Sequence, residues 1–232
     1  LEILNNILNK EKIDFFLFPN IKKKFQIETL DILGIEKKKR LSSQVYRHLT
    51  SDNIIVTDRP TICNKNLKND EWQEEVPFWI IQYLRKSFLK KEFIKDDNFP
   101  KKIYIDRSDA VAHHSKFRLI KNEVKVKKIL ENNGYKSLRI ADYSFKDQVK
   151  LFSNAKEIAG LHGGGFANLI FCQPSTKVIE FKNQTTGNII GDLAQKNNLN
   201  YNTIVGETEN SVKYSQQGIM EISISDLKEK LN

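Results

Sequence analysis

Three consecutive glycines between a predicted strand and a predicted helix constrain this chain more than any other feature. The order is strand (157–161), loop His162-Gly163-Gly164-Gly165, short helix (from Phe166) and strand (178–181). Glycines in a row cost conformational entropy, so they mark a place where the backbone approaches another group closely. Bare N–H groups at the start of a helix favour an anion, usually a phosphate. The same residues also fit a tight strand-to-helix turn that packs against a neighbouring element.

Strand and helix patterns alternate along the second half of the chain, which predicts an α/β fold with a parallel sheet covered by helices. Ligands of such sheets bind at the carboxyl ends of the strands. Arg107, Asp142, His162 and Glu180 fall at those ends, which indicates a binding site there. The predicted strands are 102–106, 138–141, 157–161, 178–181 and 201–205, and the predicted helices are 116–132, 145–153 (with Ser144 as N-cap), one from 166, and 188–197.

The first half alternates less regularly. Helices are predicted at 1–10, at 25–33 before Gly34, and from Pro77 to Phe88, with strands at 13–18 and 53–57 and a polar loop at 61–71. The polar segment 95–100 predicts a domain boundary. We therefore expect a partial N-terminal α/β lobe with a connecting helix over 1–95, and a C-terminal Rossmann-like lobe over 96–232.

Composition excludes several classes of protein. The net charge of +9 is carried mostly by scattered lysines, which indicates either the compositional bias of an AT-rich genome or a phosphate-bearing substrate, and not a nucleic-acid partner. No run of 18 apolar residues exists, so no integral membrane segment is predicted. Cys63 and Cys172 fit no zinc spacing, and His113-His114 lacks a third ligand, so no metal and no cofactor are expected. The start at Leu1, without Met or a leader, predicts an incomplete N-terminus.

Four motifs follow one another in a fixed order. They are Tyr104-Ile105-Asp106-Arg107; Arg118-Leu119-Ile120-Lys121-Asn122-Glu123; Gly160-Leu161-His162-Gly163-Gly164-Gly165-Phe166-Ala167-Asn168; and, after Phe171, Val178-Ile179-Glu180. In this order they resemble glycosyltransferase family 61, in which Ser and Leu usually stand at the places of Asp106 and Phe166. The resemblance covers most of 13–205. The family's histidine-bearing HWxxD-like segment would precede Leu1, so we expect an N-terminally incomplete, bacterial member.

The resemblance implies a B-type glycosyltransferase architecture of two Rossmann-like lobes with the N-terminal lobe incomplete. It implies an inverting hexosyl- or pentosyltransferase that moves a sugar from a nucleoside-diphosphate sugar, foremost a UDP-sugar, to a glycan or lipid-linked acceptor in polysaccharide biosynthesis. The expected location is the cytoplasm, with membrane association only through partners or a missing N-terminus. No general base is assigned. The donor-binding residues are expected to be Arg107, Arg118, Asn122, Glu123, His162, Gly163, Gly164, Gly165, Asn168 and Glu180.

Breaking the sugar–phosphate bond builds negative charge on the departing diphosphate, which fixed positive charge and N–H donors stabilise. Arg118 and Asn122, four residues apart on one predicted helix, would share a face, and Arg118 can clamp phosphate oxygens. Glu180 is expected to accept hydrogen bonds from the ribose hydroxyls. Each residue also has a simpler interpretation: Arg118 and Glu123 as solvated helix residues, His162 as a buried satisfied histidine, and Glu180 as the ion-pair partner of a nearby lysine.

Two other classes compete with a glycosyltransferase. The glycine loop resembles the oxyanion-hole motif of some esterases, but the chain lacks the G-x-S-x-G pentapeptide that such enzymes need. P-loop and G-x-G-x-x-G motifs are absent as well, which argues against an NTPase or a dinucleotide oxidoreductase. The alternative that stays open is a non-catalytic nucleotide-sugar-binding module or a truncated, inactive relative.

Overall fold

The computed structural model describes residues 12–57, 62–66, 71–90, 98–108, 119–208 and 218–232, with only the backbone described for 62–66 and 71–75. The chain forms two compact units, Leu1–Pro60 and Thr61–Asn232. The lobe boundary expected near residue 95 remains a prediction. The predicted helix 1–10 lies outside the described residues.

The first unit contains one small parallel pairing. Strand β1 (Phe16–Phe18) pairs with β2 (Arg40–Ser42), and helix α1 (Lys24–Ile32) lies between them in sequence. Gly34 follows α1 with φ of 71°, the left-handed conformation that commonly ends a helix. The predicted strand 53–57 is wrong, because residues 53–57 belong to no described strand. β-branched residues favour strands, but a segment forms a strand only where another segment pairs with it. The preference of the residues alone does not provide that partner.

The second unit contains the longer elements. Its strands are β3 (Ile62–Asn66), β4 (Glu71–Glu75), β5 (Lys102–Ile105), β6 (Leu119–Ile120), β7 (Lys136–Leu138), β8 (Glu157–Leu161), β9 (Lys177–Lys182), β10 (Asn200–Val205), β11 (Glu207–Thr208) and β12 (Ile219–Glu221). Its α-helices are α2 (Phe78–Phe88), α3 (Glu123–Asn132), α4 (Phe145–Asn154), α5 (Ile189–Lys196) and α6 (Ile224–Leu231). A 3-10 helix, Gly164–Phe171, begins within the glycine loop and is called here the glycine-turn helix.

Five of these strands form one parallel sheet in the order β7-β5-β8-β9-β10. Numbered along the chain, this order is 2-1-3-4-5, a common arrangement of doubly wound α/β sheets. The strand order reverses between β5 and β8, and ligands of such sheets bind outside the carboxyl ends of the strands at this switch point. The predicted α/β fold with a parallel sheet is therefore confirmed. The topology places the expected ligand site at the carboxyl ends of β5 and β8.

Helices cover both faces of the sheet. On one face, apolar side chains of α3 and α6, including Val126, Leu130 and Leu227, pack with Leu161 and Phe181 of the sheet. On the other face lie α4, α5 and the glycine-turn helix, which contacts both α4 and α5. The three central strands β5, β8 and β9 are mostly buried between these layers, whereas the outer strands β7 and β10 are largely half-buried or exposed. No helix in the described part of the chain is long and apolar enough to cross a membrane.

Local signals were sound in some places and overridden in others. Ser144 caps α4 as predicted, because its Oγ accepts a hydrogen bond from the Asp147 N–H at 3.1 Å. The predicted helix 116–132 is wrong at its start: Leu119–Ile120 form β6, which pairs with β12, and the helix begins only at Glu123. The predicted polar loop 61–71 is also wrong, since β3 and β4 pair antiparallel there. In both cases strand pairing outweighs the structure that the local sequence favours. The local sequence pattern does not reveal the pairing partner.

Candidate functional site

Two of the expected donor-binding residues lie at the switch point of the sheet. Arg107 is the second residue after β5, and His162 follows β8 directly, with β5 and β8 adjacent in the sheet. The Arg107 Nη1 donates a hydrogen bond to the His162 carbonyl oxygen at 2.6 Å. A cationic side chain and the glycine loop are thereby joined at the one edge where the topology predicts a ligand.

His162 is held by its backbone on both sides. Its N–H donates to the Phe181 carbonyl oxygen at 2.8 Å, which extends the β8–β9 ladder by one residue, and its carbonyl oxygen accepts from Arg107. Its Nδ1 also contacts the Glu180 carboxylate, and only 15% of its side chain is exposed. The position of the glycine loop is therefore set by the sheet and by Arg107 before any ligand binds.

The glycines of the loop are glycines for different reasons. A Cβ on Gly163 would lie 2.6 Å from the Arg107 Nη1, and a Cβ on Gly165 would lie 3.1 Å from the Ile105 Cγ2. These two glycines make room for other parts of the protein. A Cβ on Gly164 would meet no other atom of the described residues within 4 Å, and Gly164 is exposed. Packing among the described residues thus gives no reason for glycine at 164, whereas a ligand that approaches the bare backbone would.

The glycine-turn helix begins at the exposed Gly164. The first N–H groups of any helix have no partner within the helix, and they carry partial positive charge. Phe166, fully buried, anchors the helix: its ring lies 3.4 Å from where a Cβ on Gly160 would stand. The absence of a side chain at Gly160 therefore allows the larger Phe at 166. The predicted short helix is confirmed, as a 3-10 helix that begins two residues earlier.

The other end of the glycine-turn helix is capped by Arg85, which the sequence analysis did not single out. Its Nη1 donates to the carbonyl oxygens of Ile170 at 2.5 Å and Cys172 at 2.8 Å, and to the Asn197 Oδ1 at 3.1 Å. Helix C-termini present unpaired carbonyl oxygens and partial negative charge, so a cation there stabilises them. Helix α2 thus supplies a charged cap that fixes the helix whose opposite end opens at the candidate site.

We expect Arg85→Ala to lower the free energy of unfolding by about 2–3 kcal/mol, because charged hydrogen bonds to partly buried carbonyls are lost. Chemical denaturation monitored by circular dichroism measures the change. Lys86→Ala is the matched control, since Lys86 is the next residue of α2 and is exposed. Equal stabilities of the two variants would contradict the capping role.

Glu123 takes part in a network beside Arg107. It accepts a hydrogen bond from the buried Tyr104 hydroxyl at 3.0 Å and lies 3.2 Å from the Lys127 Nζ, which also pairs with Asp106 at 2.9 Å. Burial alone would raise the pKa of Asp106, but hydrogen bonds from the Ser108 N–H and from Lys127 lower it below its ordinary value. The carboxylate of Asp106 is thus a structural anion, which accounts for a residue other than Ser immediately before Arg107.

The two asparagines of the expected set are tied to the protein. The Asn122 amide donates to the Ile222 carbonyl oxygen at 2.8 Å and accepts from the Ile222 N–H at 3.0 Å, so it links the start of α3 to the strand region after β12. The Asn168 amide donates to Gln148 Oε1 at 3.2 Å and to the Gly165 carbonyl oxygen at 3.3 Å, so it joins the glycine-turn helix to α4. These contacts favour positioning roles for both.

The remaining expected residues fall in different places. Arg118 lies outside the described residues, as do His113 and His114. Asp142 is exposed and pairs with Arg139 at 2.8 Å. Glu180 is not at the end of its strand, because β9 continues to Lys182, and its side chain is completely buried. The Glu180 carboxylate is therefore not exposed for the ribose contact that the sequence predicts.

Tyr201, which contacts Glu180, was missed by the sequence analysis. The Tyr201 hydroxyl donates to the second carboxylate oxygen of Glu180. Alternation along the predicted strand 201–205 could have placed Tyr201 on a face of the sheet, but only the strand order brings it to Glu180. Within the described residues, no group of three or more His, Cys, Asp and Glu side chains is arranged to hold a metal ion.

Comparison with known proteins identifies one family. The sequence model of the family described as Glycosyltransferase 61 matches residues 15–179 of the 232. The matched part includes Arg107 and the whole glycine loop, and it ends immediately before Glu180, so Tyr201 also lies beyond it. No curated protein matches the chain.

Proposed function

The chain belongs to glycosyltransferase family 61, and on this premise we propose that it is an inverting glycosyltransferase that uses a nucleoside-diphosphate sugar, foremost a UDP-sugar. The acceptor is a hydroxyl group of a glycan or of a lipid-linked saccharide. We further propose the B-type architecture of two Rossmann-like lobes, the sheet of the second unit being the donor-binding one, and a cytoplasmic location. No metal ion or other cofactor takes part in this proposal.

The observation that carries the proposal is the open backbone at Gly164 beside the Arg107 guanidinium. Gly164 is exposed and a Cβ there would meet no other atom within 4 Å in the part of the chain that the structure describes, while Arg107 lies against the adjacent Gly163. Backbone N–H groups at a helix start together with an arginine provide the donors and the positive charge that a diphosphate requires. The location at the switch point of a parallel sheet supports the same assignment.

The chemistry asked of this site is stabilisation of a leaving group. In an inverting transfer the acceptor oxygen attacks the anomeric carbon while the bond from that carbon to the phosphate oxygen breaks, and the acceptor's proton passes to a base. Negative charge then collects on the departing diphosphate. The fixed N–H groups of the glycine-turn helix and the Arg107 guanidinium would oppose that charge without reorganising, which is the source of their effect on rate.

A binding and turnover experiment tests the proposal with the full 232-residue chain. Calorimetry would measure affinity for UDP, GDP and inorganic phosphate, and chromatography would measure release of the nucleoside diphosphate from a panel of nucleotide sugars. We expect one nucleoside diphosphate to bind at least about tenfold more tightly than phosphate, since the nucleoside adds contacts. Binding without any release of the sugar would favour a non-catalytic module, and binding of no nucleotide would overturn the proposal.

Arg118 enters this proposal from the sequence alone. We expect Arg118→Ala to cost about 1.5–3 kcal/mol of UDP affinity, the range for a hydrogen bond to a charged group. Titration calorimetry measures the loss, and Lys125→Ala is the control because it removes one positive charge at an exposed position of α3. An unchanged affinity of the Arg118 variant would remove that residue from the donor site.

A further inference from the structure

A chain of side chains runs beneath the candidate site across three adjacent strands. The buried Glu180 on β9 contacts the His162 Nδ1 with one carboxylate oxygen and accepts a hydrogen bond from the Tyr201 hydroxyl with the other. The strand register explains this alignment. Glu180 lies opposite Gly160 on β8 and opposite Thr203 on β10. His162 is two residues after Gly160, and Tyr201 is two residues before Thr203. Residues two apart on neighbouring strands share a face of the sheet, so a diagonal of side chains forms.

A carboxylate with no exposed surface is unfavourable unless its partners compensate its charge. Burial, together with the hydrogen bond to Glu180, raises the pKa of the Tyr201 hydroxyl well above its ordinary value, so Tyr201 acts as a neutral donor. Within the described part of the chain, His162 and Tyr201 contact the Glu180 carboxylate, and of these two only His162 can become cationic. Glu180 therefore links Tyr201 to the imidazole that precedes the glycine loop.

The same contacts also decide which ring nitrogen faces a ligand. A carboxylate at Nδ1 favours the tautomer that carries its proton on that nitrogen, and Nε2 is the ring nitrogen that Glu180 does not contact. The His162 backbone is fixed as well, by Phe181 and by Arg107, so the ring has little freedom to turn. Between a buried carboxylate and a phosphate, an imidazole can carry a proton on each nitrogen and donate one to each anion.

We infer that Glu180 and Tyr201 are positioning residues that hold the His162 ring with Nε2 toward the donor's diphosphate. The inference rests on the proposed function and gives Glu180 a different role from a ribose contact. His162 then donates a hydrogen bond to the departing diphosphate, in addition to the Arg107 guanidinium and the backbone N–H groups. No proton has to be transferred for this effect, because the charge is stabilised by a hydrogen bond that strengthens as the bond to the sugar breaks.

A double-mutant cycle on UDP affinity separates action through His162 from direct action. Calorimetry would compare the wild type, Glu180→Gln, His162→Ala and the double variant. We expect Glu180→Gln to weaken UDP binding about tenfold in the wild-type background and less than about twofold when His162 is already alanine, since residues of one network are not additive. An undiminished effect of Glu180→Gln in the His162→Ala background would overturn the inference.

The chain offers a matched control at the amino ends of the same strands. Glu157, at the start of β8, accepts a hydrogen bond from the Tyr135 hydroxyl at 2.7 Å and pairs with Lys102 at 2.7 Å, so it too lies between a tyrosine and a cationic group. Glu157→Gln should leave UDP affinity within about twofold of the wild type, because its network is distant from the carboxyl ends of the strands. A similar loss in both variants would mean that Glu180→Gln acts by loosening the sheet.

Comparison of UDP with 2′-deoxy-UDP distinguishes the positioning role of Glu180 from a direct contact with the ribose. If Glu180 bound the ribose hydroxyls, Glu180→Gln would weaken UDP but not 2′-deoxy-UDP, and the selectivity would persist in the His162→Ala background. We expect the same fold loss for both nucleotides. A loss confined to UDP would overturn the positioning role and restore the ribose contact.

A spectroscopic measurement tests the inference without any nucleotide. Ring-nitrogen NMR shifts report which nitrogen of a histidine is protonated, and with only four histidines in the chain the His162 signals are assigned by their loss in His162→Gln. We expect protonated Nδ1 in the wild type and a changed signal in Glu180→Gln, or in Tyr201→Phe if the first variant does not fold. Unchanged shifts in folded variants would overturn the inference, whereas failure of the wild type to bind nucleotide would count against the proposed function alone.

Discussion

Replacing Gly164 by valine is expected to weaken UDP binding by about 100-fold while the protein stays folded, because the added side chain takes the space that the phosphates need and separates them from backbone N–H groups. The fold should tolerate the change, since a Cβ at this position meets no other described atom within 4 Å and the glycine does not adopt a left-handed conformation. Calorimetry with UDP measures the loss, and thermal unfolding verifies the fold.

Two further substitutions make this test graded. Gly164→Ala adds a single methyl group, so we expect about a tenfold loss, between the wild type and the valine variant. Lys156→Ala, at an exposed position before β8 on the opposite edge of the sheet, should leave affinity unchanged. Normal UDP binding by a folded Gly164→Val protein would mean that the open space at Gly164 is not where the diphosphate lies, and the proposed function would lose its principal support.

We expect Arg107→Ala to lower kcat/KM for sugar transfer by about 100-fold or more, because a charged donor next to the leaving group is lost in a site where charge develops. Part of the loss comes from the loop itself, since the variant also leaves the His162 carbonyl oxygen without its 2.6 Å hydrogen bond from Arg107. Steady-state kinetics of nucleoside-diphosphate release from the preferred nucleotide sugar gives the number.

The lysine variant separates charge from geometry at this position. Arg107→Lys keeps the positive charge but not the planar fork that binds phosphate oxygens and reaches the loop, so we expect only partial recovery of kcat/KM. Full activity of Arg107→Lys would show that charge alone matters, and full activity of Arg107→Ala would contradict the assignment of Arg107 to the donor site. Lys156→Ala is again the control, because it also lowers the net charge of +9 by one unit.

The sequence alone determined the features that depend on neighbouring residues. The glycine loop between a strand and a short helix, the cap at Ser144 and the alternation of strands and helices from β5 to β10 were predicted because turn chemistry, capping and periodicity act within a few residues. The order of the motifs likewise identified the family, which the match over 15–179 confirms.

The tertiary structure alone decided which distant residues meet. The strand order places β5 beside β8, so Arg107 reaches His162, 55 positions later, and this contact explains why residue 163 has no side chain. Glu180 looked like a strand-end residue because nothing local shows that β9 continues for two residues more. Its contact with Tyr201, 21 positions later, exists only because β9 and β10 pair in one register. Strand pairing satisfies backbone hydrogen bonds between segments far apart in the chain, and that choice of partner leaves no local trace in the sequence.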